Sequence, residues 1–122
     1  MTIKVLSLVR FREGVDRDAA WRAWAEHTRR WDSRDHPQIQ LTELTLFARE
    51  PGAPEPPFDG MAMTLWESEE AFRAAAAWYQ TADSAAHAAD LAGFLAFDGM
   101  VTTVIAQETQ IPGPPRDSGQ PA

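Results

Sequence analysis

Trp21, Trp24, His27 and Trp31 fall within eleven residues of a stretch that reads as one amphipathic helix. Trp24, His27 and Trp31 stand at i, i+3 and i+7, so they share a helical face. Core stripes are usually built from Leu, Ile or Val, whereas this one carries indoles with a single titratable ring among them. Burial among aromatics draws an imidazole pKa toward and below neutrality, which suits a group that accepts and returns a proton. The plainer alternative makes the indoles ordinary core and His27 a residue near the helix end, stabilising its dipole. His36 precedes Pro37 in a loop and reads as a surface residue. Asp59 stands before Gly60 and reads as turn chemistry, with the orientation of a histidine or a substrate hydroxyl as its alternative.

Other chemistries find less support. There are no cysteines, which excludes disulfides, thiolate catalysis and Cys-based zinc sites. No His pair stands at i and i+4 beside a Glu, so neither zinc nor non-haem iron is expected. The glycines are scattered or lie beside proline and form no phosphate-cradling loop, so nucleotide and flavin cofactors are not expected either. Haem ligation by His27 or His87 is the one cofactor reading that stays open.

The elements that must position these residues follow from periodicity. Ile3 to Phe11 alternates as a strand, with Ile3, Val5, Ser7, Val9 and Phe11 on one side and Lys4, Leu6, Leu8 and Arg10 on the other. After a turn at residues 12–15, Asp16 caps a first helix running to about Arg30. Residues 32–37 break the pattern. A second strand covers Ile39 to Arg49, with a slip near Thr42-Glu43 that predicts a bulge. Residues 50–57 hold four prolines and one glycine and form a loop. Met61 to Trp66 is a third strand. Ser68 caps a second helix to about Tyr79, residues 81–84 interrupt it, and an alanine-rich helix follows from Ala85 to Leu95. Met100 to Gln107 closes the series as a strand.

The chain is therefore expected to be one α+β domain, residues 1–110, followed by a Pro/Gly-rich tail at 111–122. The order strand, helix, strand, strand, helix, strand is the split βαβ arrangement of the ferredoxin-like fold. It places a four-stranded antiparallel sheet under helices on one face. Two helices cover one sheet face only, yet β-strand residues are apolar on both sides. The uncovered face predicts association, most simply a two-fold homodimer.

The net charge of −7 argues against nucleic acid as a partner. Residues 1–35 carry +2 and the remainder −9, an asymmetry that mildly favours self-association. No apolar run approaches the ~20 residues of a membrane span. The N-terminus has no signal-peptide pattern, so no membrane association and a cytoplasmic location are expected.

Four features carry a resemblance: the strand Ile3-Lys4-Val5-Leu6, the Trp-rich helix reaching His27, the Phe58-Asp59-Gly60 lead-in to the third strand, and the run Leu65-Trp66-Glu67-Ser68-Glu69-Glu70-Ala71-Phe72. Together they resemble the dimeric α+β barrel superfamily, and within it the EthD-like proteins, over roughly residues 3–108. Two positions depart from that pattern. Arg29 stands where a proline typically follows the helix histidine, and Ala23 stands where a tryptophan commonly precedes it, with Trp24 one place nearer. The resemblance implies tight homodimers with a pocket between each sheet and its own helices. It also implies reactions ranging from cofactor-free polyketide cyclases, decarboxylases, dehydratases and isomerases to cofactor-independent monooxygenases.

In such a pocket, pleat alternation offers Val5, Ser7, Val9, Ala62, Thr64 and Trp66 as lining, facing Trp24, His27 and Trp31. The space is apolar and aromatic, suited to a flat hydrophobic small molecule. His27 is the first catalytic candidate. His87 is the second, because related cyclases are implied to carry a histidine in a comparable place, and its alternative is a solvent-facing helix residue. The expected function is a cofactor-independent enzyme moving a proton on a hydrophobic aromatic or polyketide-like carbonyl compound. Its alternatives are a cofactor-free monooxygenase and a non-catalytic small-molecule binder.

Overall fold

A computed structural model describes residues 1–115. Strand β1 (Ile3–Phe11) leads to helix α1 (Arg17–His27), a π-helical turn at Thr28–Asp32 and a last helical turn, α2 (Ser33–Asp35). Strands β2 (Ile39–Leu46) and β3 (Gly60–Trp66) follow, then helix α3 (Glu69–Trp78), a 3₁₀ turn at Ala82–Ser84, helix α4 (Ala85–Ala92) and strand β4 (Leu95–Val104). The four strands form one sheet in the order β2-β3-β1-β4, antiparallel at each neighbouring pair. This is the expected ferredoxin-like arrangement.

Local chemistry sets the helix starts. The Asp16 carboxylate accepts from the Ala19 N–H at 2.9 Å, and Ser68 Oγ accepts from the Ala71 N–H at 3.0 Å. Each satisfies one of the donors that a helix leaves free at its first turn. The side of β1 under the helices carries Val5, Val9 and Phe11, all buried. Around Val9, Phe11, Trp24 and Phe94 the core packs with aromatic edges, and Trp24 meets Phe11 and Trp21 at 6.2 and 6.1 Å in edge-to-face geometry. On the opposite face, Leu6 and Leu8 register with Met63, Met61 and Val101. Val101 on β4 and Leu41 on β2 are 45% and 46% exposed, so this apolar face is uncovered in the single chain.

Several boundaries differ from the sequence expectation. The helix expected to stop near Arg30 continues through the π turn to Asp35. Thr28 helps to set that turn, its hydroxyl donating to the Trp24 carbonyl at 2.9 Å, a back-bond that bends helices. Strand β2 ends at Leu46 rather than Arg49, and its register shift lies between Ile39 and Leu41 rather than at Thr42-Glu43. The alanine-rich helix stops at Ala92, not Leu95, and β4 begins at Leu95 instead of Met100. The apolar run Phe94–Phe97 fits a helix or a strand equally by pattern. Its pairing to Phe11 and Arg10 makes it a strand, interrupted before the Leu8–Val101 pair by a bulge containing Gly99 at φ +78°. Residues 111–115 have no regular secondary structure, and the rest of the expected tail lies outside the described residues.

Candidate active site

A cavity of about 590 Å³ lies between the helices and the inner sheet face. Val5, Ser7, Val9, Ala62, Thr64 and Trp66 line it from the sheet, as pleat alternation predicts, and Trp24 and His27 line it from α1. Trp31 does not. It stands on the far side of His27, nearly parallel to its ring at 6.3 Å between centroids, and lines a separate surface pocket. The π turn is the cause. One extra residue per turn rotates Trp31 off the cavity face and sets Asp32, at i+5 from His27, on it instead. Trp31 therefore lines a different pocket from the sheet residues, although both pockets reach His27.

The floor of the cavity is a hydrogen-bonded group drawn from four elements. His27 Nδ1 is 2.7 Å from Asp90 Oδ2, and His87 Nδ1 is 2.8 Å from Asp35 Oδ2. Ionised carboxylates only accept, so both Nδ1 atoms donate. The two Nε2 atoms then face each other at 3.1 Å. Tyr79 Oη lies 3.0 Å from His87 Nε2 and 2.8 Å from His36 Nε2, extending the chain to a third imidazole. Asp32 Oδ1 stands 3.4 Å from His87 Nε2 and 3.8 Å from His27 Nε2. A continuous path thus runs His36–Tyr79–His87–His27–Asp90.

Burial separates the roles of these groups. His27, His36 and His87 are 2%, 5% and 1% exposed. His27, Asp32, His36 and Tyr79 line the cavity, whereas His87 sits behind them and reaches it only through its partners. His87 is therefore neither a solvent-facing helix residue nor a group in contact with the cavity. His36, expected at the surface, is packed among Trp66, Trp78, Tyr79 and His87 at 5.2–5.6 Å between ring centroids. The short α2 turn, absent from the sequence expectation, folds it inward, and its N–H bonds the Asp32 carbonyl.

Electrostatics sort the histidines further. Burial lowers the His27 pKa, against the opposing hydrogen bond to Asp90, and burial also lowers that of His36. At His87 burial acts in the same direction but is outweighed by hydrogen bonds to Asp32 and Asp35, so its pKa is raised. Burial thus disfavours the charged form of His27, while the neighbouring carboxylates favour that of His87. Burial, reinforced by Asp32 and Asp35, pushes the Tyr79 phenol well above its ordinary range and keeps its proton in place.

Tyr79 is the functional candidate that the sequence reading passed over. It is the only tyrosine of the chain, and it ends α3, where Ser84 Oγ donates to its carbonyl at 3.1 Å. Its place in the helix pattern suggested only a boundary. Asp59, by contrast, has a structural task. Its Oδ2 accepts from the Phe11 N–H at 2.8 Å and its Oδ1 from Arg49 Nη2 at 2.7 Å. Asp59→Ala should destabilise the fold by about 1–3 kcal/mol, because a buried N–H loses its partner. Urea unfolding at fixed protein concentration measures the loss, and a cavity ligand should bind the folded variant as it binds wild type.

Comparison with known proteins places this architecture. No protein-family profile matches the chain, and no curated protein is similar to it by sequence. Solved structures do match. An EthD-like protein of Ralstonia eutropha JMP134 is 24% identical, with 85% of this chain and 89% of that one aligned and a TM-score of 0.59. SnoaB, a cofactor-independent oxygenase from Streptomyces nogalater, is 14% identical over 92% of this chain and 98% of its own, also with a TM-score of 0.59. A dimeric ferredoxin-like protein of unknown function from Thermobifida fusca is 19% identical over 88% and 92%, with a TM-score of 0.52. The chain thus has the ferredoxin-like α+β fold that these EthD-like and dimeric proteins share. Among the described residues, no helix is long and apolar enough to cross a membrane.

Proposed function

We propose that this protein is a cofactor-independent enzyme that moves a proton on a hydrophobic aromatic or polyketide-like carbonyl compound. The observation that carries the reading is the chain of three imidazoles and one phenol beneath an aromatic cavity large enough for a fused-ring ligand. His27 Nε2 is the base that takes a proton from the carbon beside the carbonyl. Tyr79 donates a hydrogen bond to the developing enolate oxygen, and the proton taken up by the neutral pair, held between the two Nε2 atoms, returns to the substrate through His27. Val5, Val9, Trp24 and Trp66 exclude water and hold the ring system, while Ser7 and Thr64 leave room for it. The fold shared with SnoaB supports catalysis without a cofactor on this scaffold.

The uncovered sheet face supports a homodimer, since the similar Thermobifida fusca protein is described as dimeric. Two copies packed sheet to sheet bury Leu6, Leu8, Leu41 and Val101 together.

The test follows aromatic β-keto acids and aryl ketones by proton NMR after incubation with chelator-treated protein in D₂O. The reading expects cyclisation, decarboxylation or solvent deuterium in at least one ligand. Ligands that quench the indole fluorescence yet are recovered unchanged and unlabelled would make the protein a binder. The oxygenase reading has one observation of its own, the SnoaB likeness, and predicts consumption of dioxygen with a phenolic ligand. Tyr79→Phe removes the hydroxyl between His36 and His87, and should lower turnover by about 10²-fold with KM little changed, as for loss of an oxyanion donor.

A further inference from the structure

The facing imidazoles raise a question that proton transfer alone does not answer. Both Nδ1–H groups are committed to carboxylates, so in the neutral pair two Nε2 lone pairs oppose each other at 3.1 Å. The Tyr79 hydroxyl can donate to His87 Nε2 alone, whereas a positive charge between the rings satisfies both nitrogens, as when two imidazoles share one metal ion. Metal–nitrogen and metal–oxygen bonds of about 2.0–2.1 Å place ligand atoms of one ion about 2.9–3.4 Å apart. The His27–His87 and His87–Asp32 separations, 3.1 and 3.4 Å, fall in that range, and His27–Asp32 at 3.8 Å needs only a small swing of the carboxylate.

We propose that His27, Asp32 and His87 form a binding site for one first-row divalent transition-metal ion, with an open coordination position toward the cavity. Each histidine already has the outer partner that ligating imidazoles use, Asp90 for His27 and Asp35 for His87. Three carboxylates surround the two rings. Among the described residues Arg34 is the only Lys or Arg side chain that pairs with any of them, at 3.0 Å from Asp35. A divalent ion matches that excess of negative charge. Two imidazoles and one carboxylate suit Zn²⁺, Co²⁺, Ni²⁺ or Fe²⁺ rather than Mg²⁺ or Ca²⁺. His27 and Asp32 line the cavity, so the vacant side of the ion faces a bound molecule. The three ligands come from the end of α1, the π turn and α4, which is why no local spacing motif announces them.

The metal takes the place of the shared proton, which passes to water, and it occupies His27 Nε2. Metal loading and the proton transfer proposed above are therefore alternative states of one cluster. The inference does not depend on that reaction, because binding is measured without substrate.

The test titrates chelator-treated protein with Zn²⁺ by calorimetry and with Co²⁺ by visible absorption. The expected result is one ion per chain and a Co²⁺ spectrum distinct from that of the hydrated ion. Asp32→Asn should weaken Zn²⁺ binding at least 10-fold, and His27→Gln and His87→Ala about 100-fold or more. Asp90→Asn, which changes only the outer partner, should weaken it about 10- to 100-fold. Circular dichroism checks each variant, and Asp32→Asn, isosteric and partly exposed, keeps the test decisive if a histidine variant fails to fold. A hydrated-ion Co²⁺ spectrum with wild type, or unchanged affinity in Asp32→Asn and Asp90→Asn, would overturn the site. Zn²⁺ that binds as described and suppresses deuterium exchange supports both proposals, whereas binding without any exchange in the metal-free protein removes only the cofactor-free reaction.

Discussion

His27→Gln should lower turnover by about 10²–10⁴-fold, the contribution of one positioned general base, while ligand affinity and the unfolding midpoint change little. Glutamine fills nearly the same volume and still reaches Asp90, so the 2%-exposed site is not left as an empty hole. What it lacks is a nitrogen that accepts a proton near neutral pH. The loss should appear in kcat rather than KM, because His27 acts on the reacting atom while Trp66, Val5 and Val9 hold the ring system. Steady-state kinetics beside indole-quenching titrations separate the two effects. A variant that loses binding and turnover together would make His27 a packing residue.

Gly60→Ala should destabilise the fold by overpacking. A Cβ at this position would lie 2.5 Å from the Thr45 carbonyl oxygen and 3.0 Å from Cζ3 of Trp24. The first neighbour is backbone of the paired strand and cannot rotate away. Gly60 is paired to both Leu46 and Val9, so relief requires β2 and β3 to separate and the Trp24 indole to give way as well. Overpacking of this kind costs about 1–3 kcal/mol. Denaturant unfolding at constant protein concentration checks it, and a displaced Trp24 should also weaken cavity ligands. Unchanged stability would show that β2 yields at this point.

Much of the scaffold was legible in the sequence because its signals are local. Alternation in β1 separated Val5, Ser7 and Val9 from Leu6 and Leu8, and the side chains of Asp16 and Ser68 announced both principal helices. The same alternation predicted six sheet residues that line the cavity. What escaped notice depends on backbone geometry that residue types encode weakly. A π turn has no periodic signature of its own, so Trp31 was assigned the place that Asp32 occupies. His36-Pro37 has the composition of an exposed loop, yet α2 packs His36 against Trp66 and Trp78.

The site is less legible than the fold for a related reason. Asp32 and Asp35 stand in a segment that breaks the helical pattern and Asp90 on an alanine-rich helix, and only tertiary proximity turns them into partners of His27 and His87. The residues of the cluster lie up to 63 positions apart. Chain order therefore revealed His27 through its indole neighbours, whereas Tyr79, standing alone at a helix end, gave no comparable pattern.

Deuterium incorporation from D₂O into the methyl group of a naphthyl methyl ketone tests the central claim most directly. It reads transfer at carbon without requiring the natural substrate or a completed reaction. The account predicts exchange well above the buffer rate with chelator-treated protein, falling about 10²–10⁴-fold in His27→Gln. Exchange at the buffer rate while the ketone is demonstrably bound in the cavity would contradict it.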